Sequence, residues 1–249
     1  MTGVIAKIKP FLRPSTIRLL VTLPRFTKSW QVGDGREDAV LDLVLKTTRP
    51  GDLDAVIRTI DKFGHKSILV NVGDEKGLLL DAAIERCQPT TMIELGAYVG
   101  YSALRAARVL PEGAHLYSVE LTRANADITR RMLEHAGVGD RVTVVDGKLG
   151  DPATVERLDA VLSGGRLDFA FIDHAKDAYL PDLETMIGSG WLHAGSVVVA
   201  DNVKMPGAPE YLAYMRAAEG SSWNTIEHDT HVEYVGVLKD LVLESTYLG

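Results

Sequence analysis

Five apolar runs in this chain stop abruptly on an acidic side chain. They are MIELGA, LYSVEL, RVTVVDG, LDFAFIDH and SVVVADN, and their last residues include Glu94, Glu120, Asp146, Asp173 and the pair Asp201-Asn202. Carboxylate and amide oxygens at Asp173, Asp201 and Asn202 are hard ligands that suit Mg²⁺, an octahedral cation that keeps positions open for water or substrate. Zinc is disfavoured, because Cys87 is the only cysteine and no Cys/His cluster accompanies it. The plainer reading makes each Asp the N-cap of the next helix, a role worth about 1 kcal/mol. Lys176 follows Asp173 by three residues. Beside a divalent cation its amine is driven toward the neutral form and could take a proton from a bound hydroxyl; otherwise it is an ordinary surface lysine. Glu120 could accept both hydroxyl protons of a ribose. Gly96 and Gly100, in ELGAYVGYS, would let the backbone turn tightly against such a ligand. This spacing is not G-x-G-x-x-G, so a cradle for a dinucleotide pyrophosphate is not supported.

The elements between these residues decide whether they meet. YSALRAARVL, ANADITRRMLEHAG, DPATVERLDAVL and AYLPDLETMIG separate the apolar runs and carry apolar positions at helical spacing. Alternation of this kind predicts an α/β fold with a mostly parallel sheet and helices on both faces. In such a sheet ligands gather outside the carboxyl ends of the strands, where the acids stand. Residues 37–46 and 53–63 read as amphipathic helices separated by Pro50-Gly51. A helix near 210–218 and strands near 223–228 and 232–238 complete the tail.

Composition narrows the classes. With 249 residues, 46% hydrophobic, the chain can bury a substantial core. It has no apolar run long enough for a transmembrane helix. One cysteine excludes an internal disulfide framework and fits a reducing, cytoplasmic location. A net charge of −7 argues against nucleic-acid binding by the whole surface. That charge is uneven: residues 1–33 hold six Lys or Arg and no Asp or Glu, leaving −13 on the rest. Residues 1–35 therefore read as a basic arm and 36–249 as a single domain. The arm's interleaved Ile5, Ile8, Phe11 and Leu12 could rest weakly on an anionic membrane surface, or pack on the domain or a partner subunit. The sequence leaves the oligomeric state open.

Several longer segments together carry a resemblance. NVGDEKG at Asn71, ELGAYVGYSALRAARVL at Glu94, ITRRMLEHAGVGDRVTVV at Ile128, LDFAFIDHAKDAYLPD at Leu167, VVADNVKMPGAP at Val198 and VEY at Val232 resemble, in the same order, the catechol O-methyltransferase family. The resemblance covers about 36–247 and implies the Rossmann-like class I methyltransferase fold with a seven-stranded sheet. It implies Mg²⁺-dependent transfer of a methyl group from S-adenosylmethionine to one hydroxyl of a catechol. Asp173, Asp201 and Asn202 would hold Mg²⁺, and Lys176 would be the general base. Glu233 would hold the second hydroxyl beside Asn202, with Pro206 in the wall around the ring. Glu120 would take the ribose and His174 the adenine edge. Val72, Glu94, Gly96, Tyr98 and Ser102 would surround the methionine portion, with Gly147 and Asp173 completing the cofactor set.

The chain departs from the family at the acceptor wall and beside the adenine. Ala175 stands where the family has a tryptophan, Ile68 at a second aromatic position, and Leu149-Gly150 in place of a Ser-Gln pair. A smaller wall admits other vicinal-diol phenols, such as caffeoyl-type acids or flavonoids. A nicotinamide oxidoreductase on a similar sheet is the alternative of another class, weakened by the missing glycine pattern. A non-catalytic scaffold is a third, and the intact Lys176 and metal-site residues count against it.

Overall fold

The computed structural model describes residues 32, 34–162, 165–234 and 238–249. The basic, apolar-interleaved segment proposed as a membrane or packing arm lies almost entirely outside the described residues. Helices α1 (Arg36–Thr47), α2 (Leu53–Gly64) and α3 (Gly73–Cys87) precede the sheet. Next come β1 (Thr91–Leu95), α4 (Tyr101–Val109), β2 (His115–Glu120), α5 (Arg123–Ala136), β3 (Val142–Asp146) and α6 (Pro152–Leu162). The chain continues through β4 (Leu167–Ile172), α7 (Tyr179–Gly188), β5 (Leu192–Ala200) and α8 (Pro209–Ala217), ending on β6 (Trp223–His231) and β7 (Lys239–Tyr247).

These form one seven-stranded sheet in the order β3-β2-β1-β4-β5-β7-β6, parallel except for β7, which runs antiparallel to both neighbours. The order reverses between β1 and β4, which opens a crevice at their carboxyl ends. It is the class I S-adenosylmethionine-dependent methyltransferase arrangement expected from the sequence.

The continuous apolar runs follow from burial on both faces. Successive residues serve opposite cores: Phe169 and Phe171 pack with α3, α4 and α5, whereas Ala170 and Ile172 pack with α6, α7 and α8. Local chemistry fixes the helix ends. Asp52 caps α2 by accepting from the Ala55 N–H at 3.0 Å, and Gly137, left-handed at φ 77°, ends α5.

Two parts of the sequence reading change. Residues 73–87, not read as a helix, form α3, which starts from the left-handed Gly73 with Asn71 Oδ1 accepting its N–H at 3.1 Å. The last strand lies at 239–247, not 232–238. Residues Glu233 and Tyr234 turn instead, with Tyr234 left-handed at φ 57° and the Val232 N–H returning to the Leu238 carbonyl at 2.8 Å. The displacement follows from burial: Leu241, Val242 and Leu243 fill the inner position between β5 and β6. Among the described residues no helix is long and apolar enough to cross a membrane.

Candidate active site

A cleft of about 750 Å³ opens at the carboxyl ends of β1, β2, β4 and β5. Gly96, Tyr98, Glu120, Gly147, Asp173 and His174 line one part of it, and Lys176, Asn202 and Pro206 another. Val72, Glu94, Ser102 and Asp201 are buried, and with Glu233 they stand outside this lining. Of the departures, Leu149, Gly150 and Ala175 face the cleft, whereas Ile68 is buried away from it and Val70 contributes instead. A second hollow, bordered by Leu110, His115 and Arg141, lies near the amino ends of β2 and β3, away from these acids.

The glycine loop after β1 is shaped around its neighbours. Gly96 sits at φ 102°, and a Cβ there would meet the Asp173 carbonyl oxygen at 2.5 Å and the His174 Cβ at 3.1 Å. Gly96→Ala is therefore expected to cost about 1–3 kcal/mol, read as a lowered melting temperature with weakened cofactor binding. An unchanged melting temperature would contradict the close approach. Glu120 secures the same loop: its Oε2 accepts from the Ala97 and Tyr98 N–H groups at 3.2 and 2.9 Å, and its Oε1 from the Thr122 N–H at 2.7 Å. The Tyr98 hydroxyl donates to Glu37 Oε1 at 2.8 Å, and that oxygen also accepts the Val32 N–H at 2.8 Å, so α1 is tied to the loop. His174 shares Nε2 with Asp182 Oδ2 at 2.8 Å and stacks on Tyr179, while its buried Nδ1 has no hydrogen-bond partner.

Glu94 is fully buried on β1. Its Oε2 accepts from the Ser118 hydroxyl, and its Oε1 has no partner. Burial pushes its carboxyl up to about 7 from an ordinary 4.5, against hydrogen bonds from Ser102 and Ser118. Between those values the folded state holds a proton that the unfolded chain has released. The stability contributed is thus fully present below about 4.5 and lost as pH rises through about 7. From about pH 5.5 to 8 the loss is about 2 kcal/mol. Glu94→Gln, which cannot ionise, is expected to gain that amount on the parent over the interval, measured by urea unfolding. A constant difference would contradict the burial argument.

At the end of β5, Asp201 is completely buried. Its Oδ1 accepts from Lys76 Nζ at 2.6 Å and from the Asn202 N–H at 2.6 Å, while its Oδ2 has no partner at all. Burial raises this carboxyl well above its ordinary range, opposed by Lys76 and reinforced by Asp173. A buried carboxylate oxygen left unpaired among hard donors is the setting that a cation satisfies. Asn202 spends both its N–H donors, on Glu233 Oε1 and Asp240 Oδ2, each at 2.8 Å, so its own Oδ1 is the atom left to ligate. Asp173, Asp201 Oδ2 and Asn202 Oδ1 are the hard oxygen donors that would hold Mg²⁺ at such a site. Lys176 stands over it: its Nζ is 3.1 Å from Asp173 Oδ1 and 3.5 Å from the Asp201 carbonyl, and donates to the Tyr179 hydroxyl. That hydroxyl donates in turn to the Asp201 carbonyl at 2.9 Å.

Three residues of this network escaped the sequence reading. Lys76 on α3 buries its ammonium against Asp201, Glu233 and Asp240, and Tyr179 braces Lys176. Burial lowers the basicity of Lys76, but the three carboxylates outweigh it and the ammonium titrates above its ordinary value. The oxygens of Asp201, Glu233 and Asp240 lie within 4.8 Å of one another, the spacing of a metal site, but among the described residues their centre belongs to Lys76 Nζ.

This fold, with a glycine loop and acids gathered at the switch of strand order, defines a class I methyltransferase. The chain belongs to the O-methyltransferase family: the model of that family matches residues 52–211. It is 57% identical to the probable O-methyltransferase Rv1703c of Mycobacterium tuberculosis, over 90% of this chain and 97% of that one. It is 39% identical to mouse catechol O-methyltransferase, over 84% of this chain and 78% of the mouse protein. The fold is shared with the O-methyltransferase of Bacillus cereus, solved in complex with SAH, at a TM-score of 0.63 and 22% identity, covering 84% and 97% of the two chains. It is accordingly an S-adenosylmethionine-dependent O-methyltransferase.

Proposed function

We propose that the chain methylates one hydroxyl of a catechol in a Mg²⁺-dependent reaction, with Lys176 as the general base. The observation that carries this reading is the unpaired, buried Oδ2 of Asp201 beside Asp173, Asn202 and the Lys176 amine. Mg²⁺ supplies positive charge that favours the ionised form of an adjacent phenol oxygen. S-adenosylmethionine would supply the methyl group from its sulfonium, with the electron pair of the carbon–sulfur bond left on sulfur.

The chain's residues prepare this transfer. Lys176 Nζ takes the hydroxyl proton. Tyr179 and Asp173 hold that nitrogen at the rim. Glu233 accepts from the neighbouring hydroxyl, placed by Asn202 and Lys76. Gly96, Tyr98 and Ser102 surround the methionine portion, with Val72 and Glu94 behind them, Glu120 takes the ribose, Gly147 lies beside it, and His174 offers Nδ1 to the adenine edge. Pro206 borders the acceptor ring. Most of the acceleration then comes from holding two reactants at contact distance.

The mouse relative's name supports a catechol, as does the metal-site geometry. Ala175 on the cleft supports a second reading, in which the acceptor is a bulkier vicinal-diol phenol such as a caffeoyl-type acid or a flavonoid. The test is methyl transfer from S-adenosylmethionine to catechol and to caffeic acid, with Mg²⁺ and with excess chelator. Chelator-sensitive product on either acceptor supports the reading and ranks the two. Cofactor binding without transfer to either would remove the vicinal diol as acceptor.

A further inference from the structure

Lys76 is a completely buried cation on α3 that is not among the residues lining the cleft, yet it sits on the strand-end site. Its Nζ is 2.6 Å from Asp201 Oδ1 and 2.9 Å from Asp240 Oδ2, and it also holds Glu233 Oε1. Three carboxylates drawn from β5, the β6–β7 turn and the start of β7 thus converge on one ammonium. Their oxygens lie close enough together for a divalent ion. Three carboxylates meet the single ammonium of Lys76, and its removal would leave them around a cation-sized gap.

We infer that Lys76 occupies the seat of a second cation, confining the site to one divalent ion while positioning Asp201 toward that ion and Glu233 toward the acceptor. The inference rests on the proposed strand-end metal site only for the count in the parent enzyme. Lys76 acts through Asp201 and Glu233, so it is a positioning residue. Its place also explains Gly73, where a Cβ would lie 3.1 Å from the Glu233 Cβ: α3 must come close for the ammonium to reach the turn.

The test is Mn²⁺ stoichiometry, by electron paramagnetic resonance, on the full chain and on Lys76→Ala, Lys76→Gln and Lys76→Arg, each prepared with Mn²⁺ present. The parent and Lys76→Arg are expected to bind one ion, and Lys76→Ala or Lys76→Gln two. The added ion should disappear again in Lys76→Ala combined with Asp240→Asn. Equal stoichiometry in parent, Ala and Gln variants overturns the inference. So does failure of both neutral variants to fold even with Mn²⁺, because the ion is then no substitute for the ammonium. A parent that binds none while Lys76→Ala binds one refutes the strand-end metal site and the positioning of Asp201 toward an ion, and supports only Lys76 as the occupant of a cation seat.

Discussion

Lys176→Met is expected to lower turnover by about 10²–10⁴-fold while leaving S-adenosylmethionine affinity nearly unchanged. Methionine keeps an unbranched apolar stem close to that of lysine but has no basic nitrogen. Stability should change little. The ion pair with Asp173 is partly solvated, and pairs of that kind contribute at most about 1 kcal/mol. Tyr179 keeps its own bond to the Asp201 carbonyl. Lys176→Arg sharpens the result. A guanidinium preserves the positive charge near Asp173 but does not release a proton in this pH range. If Lys176 serves as the base, the arginine variant should be as inactive as the methionine one. An arginine variant with near-parental turnover would reduce Lys176 to a fixed charge.

The second large effect is expected at Asp201→Asn. Turnover should fall by at least about 100-fold, because the buried oxygen that fits the cation loses its charge. Without Mg²⁺ the variant should still fold, since Lys76 keeps Glu233 and Asp240 and the substitution removes a buried carboxylate oxygen that has no partner. The parent is expected to melt at a higher temperature with Mg²⁺, and the variant is expected to show no such rise. A ligand that binds only the folded state stabilises it by about 2.7 kcal/mol at a hundredfold excess over its dissociation constant. Thermal melts of parent and variant with Mg²⁺ and with chelator make the comparison. An Mg²⁺-induced rise that survives in Asp201→Asn would place the ion elsewhere.

Much of this site was legible because a parallel sheet writes its functional edge into the sequence. The central strands β1, β4 and the end of β5 are apolar runs buried on both faces, so the first charge marks where such a run ends, and Asp173, Asp201 and Glu120 stand out. Gly96, His174 and Lys176 line the cleft at that edge. Lys76 was not legible. In GDEKG it looks like one more solvated charge at a helix start, and only the burial of Leu80, Ala83 and Ile84 on the same helix shows that its face turns inward. Asp240 hid for the opposite reason: it opens an antiparallel strand, where an acid ordinarily faces water. The turn at Glu233 was misplaced into a strand because Val232, Tyr234 and Leu238 mimic a β pattern. Gly73, which lets α3 approach that turn, reads in sequence as an ordinary breaker.

The position of β7 has a consequence for how the chain is made. The ribosome delivers strands in numerical order, but β7 is not at the margin of the sheet: it slots between β5 and β6. Until it emerges, β5 presents a row of unsatisfied backbone groups, a template on which a neighbouring nascent chain could pair. During the same interval Lys76 lacks Asp240, so α3 is asked to bury a cation with part of its counter-charge still unsynthesised. Docking of the final strand therefore closes the sheet and completes the ion cluster in one event, and the enzyme cannot assemble its acceptor side ahead of its fold.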